Sequence, residues 1–161
     1  MKPSVYIETS IVSYLTARPS RDLVVAANQE MTARWWRTAP DLYDLYISQL
    51  VRAEVGRGDE DAANRRLALL SEIQELKNLP EAMNLAARFI QIGALPPNAR
   101  EDASHLALAS VHGIDFFLTW NCRHINNATK KPLMRRICEE DGYRCPEICT
   151  PYELLGEEVQ P

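Results

Sequence analysis

No stretch of this chain approaches the roughly 18 apolar residues of a membrane span, and no apolar leader precedes its first strand-like segment. A cytoplasmic protein with no membrane partner is expected. A GxGxxG after a strand and a GxxxxGK[ST] are both missing, which removes dinucleotide and P-loop chemistry. Glycine is scarce, at 6 of 161 residues, and no low-complexity linker or internal repeat interrupts the chain. Cys122, Cys138, Cys145 and Cys149 contain no CxxC pair, so they read as reduced, mostly buried thiols rather than zinc ligands or disulfides. Surplus positive charge is lacking too. A net charge of −4 argues against holding nucleic acid by bulk electrostatics. Any such contact falls to local patches, Arg65-Arg66, Lys130-Lys131 and Arg135-Arg136, each of which also reads as a solvated helix face.

What is present is the pattern of one α/β domain, since 46% apolar content over this length suffices for a single core. Strand-like segments lie at Ser4 to Ile7, Leu45 to Ser48, Phe116 to Thr119 and Ile148 to Thr150, with a short one within Ile73 to Leu79. Thr9 and Ser10 suit the cap of a helix through Leu15. Asp22 to Arg37 has amphipathic spacing, with Trp35 and Trp36 as core and partner surface, and Ala39-Pro40-Asp41 is expected to break the chain. Ser48 can cap the helix carrying Val51 and Glu54. Further helices are expected after the restart at Gly56-Arg57-Gly58-Asp59 through Leu70, from Glu81 to Ile92, from Asp102 to about Gly113, and from Leu133 to Asp141. Asn98 with Glu101 resembles a capping box, as does Thr150 with Glu153 before a short terminal helix. Strands separated by helices imply a parallel sheet covered on both faces.

Four oxygen-bearing side chains stand where apolar stretches end or helices begin. Glu8 follows Val5-Tyr6-Ile7, Glu54 comes after Leu45-Tyr46-Ile47, Asp102 opens a helical run, and Asn121 follows Phe116 to Trp120. Open parallel sheets bind ligands outside the carboxyl ends of their strands, so the four can meet in one crevice. Crowded carboxylates repel one another unless a cation lies among them, and the cation expected is Mg²⁺ or Mn²⁺. Asp115 sits at the opposite end of its strand, about 20 Å away at roughly 3.3 Å per residue, and reads as a turn residue.

Val5-Tyr6-Ile7-Glu8-Thr9-Ser10, Arg52-Ala53-Glu54-Val55, Glu101-Asp102-Ala103-Ser104-His105-Leu106-Ala107-Leu108-Ala109 and Leu118-Thr119-Trp120-Asn121-Cys122-Arg123-His124-Ile125 together resemble the ordered motifs of PIN-domain nucleases, and among them VapC-type toxins of type II toxin-antitoxin systems. The resemblance runs from about Val5 to Leu155. It implies a PIN-like domain over 1–155 with a short tail at 156–161, a three-layer α/β/α sandwich with a mostly parallel central sheet, and Mg²⁺- or Mn²⁺-dependent endoribonuclease activity. The implied partners are an RNA substrate, a cognate antitoxin and a second copy of the chain. Glu8, Glu54, Asp102 and Asn121 are the implied catalytic and metal-binding residues, with Thr9, Ser10, Thr119 and His105 supporting them. His105 and His124 read either as proton or RNA contacts or as hydrogen-bonded supports. Glu8 and Asn121 depart from the commoner Asp at their positions: one lengthens the carboxylate by a methylene, the other loses the charge.

Two rival readings bear on the same residues. A PIN fold that has stopped cutting and serves as a binding or regulatory module fits Asn121 and the acidic surface. A phosphorelay receiver needs an acceptor Asp ending a central strand and a Lys ending a later one, and the chain has neither.

Overall fold

Val5, Tyr6 and Ile7 are completely buried, and a strand with no exposed face must be covered by helices on both sides. The structure is a computed structural model describing residues 1–156, and it places this strand, β1 (Ser4–Ile7), at the centre of a five-stranded sheet. With β2 (Asp44–Ser48), β3 (Gln74–Leu76), β4 (Phe116–Leu118) and β5 (Glu147–Cys149), the order is β3-β2-β1-β4-β5, and every pairing is parallel. Register is set by pairs such as Val5 with Leu45 and Ile7 with Leu118.

Parallel neighbours need crossovers, and helices supply them. Helices α1 (Thr9–Thr16), α2 (Leu23–Leu42), α3 (Gln49–Val55) and α4 (Glu60–Leu69) pack among themselves. So do α5 (Pro80–Ile92), α6 (Arg100–Val111) and α7 (Lys131–Glu140), which gives the sheet a second layer. The chain grows outward from β1 through β2 and β3, then returns to the other side of β1 for β4 and β5. The sequence order therefore reverses between β1 and β4, and the crevice of such a sheet opens at that reversal.

Several local expectations are corrected. Helix α2 does not stop at Ala39-Pro40-Asp41 but runs through Pro40 to Leu42. Pro40 lies in the last turn, where it gives up one helical N–H bond, and the Tyr43 N–H still closes the helix on the Ala39 carbonyl at 2.8 Å. The Asn98 capping box does not form: Ala99 is the cap without a side-chain bond, and Glu101 instead pairs with Arg57 at 3.1 Å. Thr150 and Glu153 do form their box, at the head of a 3-10 turn over Pro151–Leu154. Trp35 is in the core and Trp36 packs partly buried against it. All four cysteines are free, with Cys138 and Cys149 buried and Cys122 exposed. Of the tail placed at 156–161, positions 157–161 lie outside the described residues.

Candidate metal centre

Glu8 is the first residue past β1, and its N–H still bonds the Leu118 carbonyl at 3.1 Å, so the strand ladder itself delivers the carboxylate to the reversal point. Thr9 and Ser10 were expected to cap α1, but the cap is Glu8. Its Oε2 accepts the Ser10 N–H at 3.1 Å, the Ser10 hydroxyl, and the Thr119 hydroxyl at 2.8 Å. A carboxylate only 5% exposed is thus held at the positive end of a helix. Its Oε1 has no protein donor among the described residues.

Glu54 comes from α3 and is held at both oxygens. Oε1 accepts from His105 Nε2 at 2.8 Å, and Oε2 accepts from the Thr9 hydroxyl. His105, on α6 and 1% exposed, meets the Tyr6 hydroxyl through Nδ1 at 2.6 Å, and that hydroxyl meets Ser48 Oγ at 2.7 Å. Glu8, Glu54 and His105 offer atoms that all lie within 4.8 Å of one another. Each of the four side chains expected beside the ligands (Thr9, Ser10, Thr119 and His105) touches one of the two glutamates.

Asp102 and Asn121 stand outside that group and are joined to each other through His124. Asp102 Oδ2 lies 3.0 Å from His124 Nδ1, and Asn121 Oδ1 accepts the His124 N–H at 3.0 Å. The Asn121 N–H in turn donates to Thr119 Oγ1 at 2.9 Å, which links the pair to Glu8. Asp102 also precedes His105 by one turn of α6.

The charges are mutually dependent. Burial pushes the Glu54 carboxyl up, but the hydrogen bond and charge of His105, with Thr9 and Arg57, outweigh it and leave the group below its ordinary value. Burial pushes His105 down, yet its bond to Glu54 and the charges of Glu54, Glu8 and Asp102 carry it above the ordinary imidazole value. Glu54 and His105 therefore offset one another, with the Glu8 carboxylate beside them. Hard oxygens at such spacing suit Mg²⁺ or Mn²⁺, whose ligands lie about 2.0–2.1 Å from the ion and so up to about 4.2 Å apart. Glu8 and Glu54 supply the hard oxygens for such an ion, Glu8 Oε1 being the uncommitted one, while His105 already has both ring nitrogens on Glu54 and Tyr6.

One participant, Tyr6, went unnoticed in the sequence, and His124 was read there without its partners. A tyrosine inside a central strand needs a partner for its hydroxyl, a signal that pointed to Tyr6 without saying that His105 would be that partner. Only folding revealed His124 as the link between Asp102 and Asn121.

Neither a protein-family model nor a curated protein matches the sequence. The fold does resemble a solved structure, the crystal structure of VapBC2 from Rickettsia felis bound to a DNA fragment from their promoter. It is 15% identical, with 91% of this chain and 97% of the matched chain covered, at a TM-score of 0.59. At that identity the likeness is one of fold, and the chain is a PIN-like α/β/α sandwich around a parallel sheet.

Proposed function

We propose that this protein is a Mg²⁺- or Mn²⁺-dependent endoribonuclease that hydrolyses RNA phosphodiester bonds, acting as the toxin of a toxin–antitoxin module with a cognate antitoxin as partner. The observation that carries this reading is the convergence of the Glu8 and Glu54 carboxylates with His105 at the reversal of the sheet order. The fold likeness to a chain of the VapBC2 structure supports it.

In this reading Glu8 Oε1 and Glu54 hold the ion, while Asp102 and Asn121 contribute oxygens directly or through water. When bound, such an ion activates water toward a phosphodiester and offsets charge on the phosphate. The chain's own residues do the positioning. Ser10 and Thr119 fix one oxygen of Glu8 so that the other faces the crevice, and His105 and Thr9 fix the Glu54 carboxylate. Because these donors are in place beforehand, little reorganisation accompanies reaction.

The test is Mn²⁺ calorimetry with cleavage of single-stranded RNA, comparing the parent, Glu54→Gln and Asp102→Asn. Both variants should bind Mn²⁺ at least tenfold more weakly, a loss of about 1.4 kcal/mol or more, and should stop cutting. Induced in cells, the parent should arrest growth and Glu54→Gln should not. A parent that binds no Mn²⁺ and cuts no RNA overturns the reading.

A further inference from the structure

Beside the centre lies a groove of about 530 Å³, walled by Pro96 and Pro97 on one side and by Arg123, His124, Asn127 and Lys130 on the other. It shares a residue with the centre. His124 turns Nδ1 to Asp102 at 3.0 Å, while its Nε2 has no protein partner among the described residues. Arg123 and Lys130 are exposed, and neither forms an ion pair among the described residues; Lys130 Nζ reaches only the Gly93 carbonyl, at 3.3 Å. In a chain of net charge −4, two cations without a counter-charge therefore flank an acidic crevice.

The loop that carries them is held by its own bonds. The Asn126 N–H bonds the Asn121 carbonyl at 2.8 Å, and Asn127 Nδ2 bonds the Arg123 carbonyl at 3.1 Å. Asn127 Oδ1 accepts from Thr129 N–H at 3.0 Å, and Lys131 Nζ reaches Asn126 Oδ1 at 2.9 Å. The cations are thus presented by an ordered turn, which lowers the entropy lost on binding. The groove between Leu50, Pro80, Met83 and Leu108 offers no such charge. The one at Asp115 and Arg144 lies at the opposite edge of the sheet, where Arg144 is already paired with Asp115.

We propose that this groove seats phosphate groups of the RNA strand flanking the scissile bond, with Arg123 and Lys130 as the positioning residues. The proposal rests on reading the centre as a ribonuclease site. A cationic groove abutting an acidic metal site gives a polyanion somewhere to anchor while the metal handles the reacting phosphate. The proline wall leaves no donor of its own to compete for the strand.

The experiment measures binding of a labelled single-stranded RNA oligonucleotide by fluorescence anisotropy in EDTA across salt concentrations, together with steady-state cleavage in Mn²⁺. The variants are the double Arg123→Ala/Lys130→Ala, the charge-keeping swap Arg123→Lys/Lys130→Arg, and a control, Arg18→Ala/Arg37→Ala, on exposed positions of the α1 to α2 segment. Two lost phosphate contacts on a single strand should flatten the salt slope by about 1.4, at roughly 0.7 per contact. KM should rise about tenfold while kcat stays within twofold, and the swap should restore both. A parent that cuts RNA while the alanine pair keeps its slope and KM overturns the groove and leaves the nuclease reading standing. So does a control that loses as much as the alanine pair. A parent that neither binds nor cuts RNA overturns both.

Discussion

Glu8 performs two tasks with its two carboxylate oxygens. Its Oε2 caps α1 and takes two hydroxyl donors, and its Oε1 is left for the crevice. The repulsion expected between Glu8 and Glu54 is offset on one side by three donors and the helix terminus, and on the other by His105 and Thr9. Glu8→Gln keeps an acceptor and should change stability in EDTA by less than about 1 kcal/mol, since the three donors stay paired. Glu8→Ala removes the cap and the carboxylate acceptor of the Ser10 N–H and of the Ser10 and Thr119 hydroxyls, so it should cost about 1–3 kcal/mol. Both should lose Mn²⁺ binding. Thermal denaturation with calorimetry separates the two effects, and an alanine variant as stable as the parent would show that the cap contributes little.

At the scale of elements, the far end of the sheet is tied by a residue expected only to turn the chain. Asp115 Oδ2 accepts the Ser4 N–H and the Ser4 hydroxyl, each at 2.9 Å, and Oδ1 meets Arg144 at 2.7 Å. The start of β4 is thereby fastened to the start of β1. The Ser4 backbone bond, then Arg144 and the Ser4 hydroxyl, hold this carboxyl below its ordinary value. A depressed value means the tie is complete above the unfolded value of about 3.9 and is lost as pH falls through the folded one. Asp115→Asn should therefore cost about 1 kcal/mol near pH 7, kept small by its partial exposure, and the gap to the parent should close as pH falls below about 4. Mn²⁺ affinity and RNA cleavage should not change. If they do, the site is not at the carboxyl edge of the strands.

For the whole molecule, residues from β1, α1, α3, α6 and the segment after β4 meet at one point, so a bound ion stabilises the fold rather than one segment. Free Mn²⁺ at 100 times Kd should add about 2.7 kcal/mol, a rise in Tm of roughly 5–11 °C for a domain of this size. Glu54→Gln should show almost none of that rise in the same scan. An equal rise in parent and variant would place the ion elsewhere.

Apolar runs, with the caps and the Pro and Gly breaks between them, located β1, β2, β4, β5 and most helices, because a covered parallel strand demands an apolar run and crossing between such strands demands a helix. Strand β3, with Gln74 and Glu75 exposed, left only a faint trace within Ile73 to Leu79. The runs also marked Glu8 and Glu54, which end or follow them. Strand order was not in any segment, since it depends on which side of β1 the chain returns to after β3. Nor was the cap of α1: Thr9 and Ser10 were locally suitable, but the Thr9 hydroxyl is drawn to the distant Glu54, and the neighbouring Glu8 takes the Ser10 N–H instead. The joining of Asp102 to Asn121 through His124, and the tie from Asp115 to Ser4, likewise had no local signature. The bonds from His124 to Asp102 and from Ser4 to Asp115 join groups far apart in sequence, and only the packed sheet with its two helical layers brings those partners within reach.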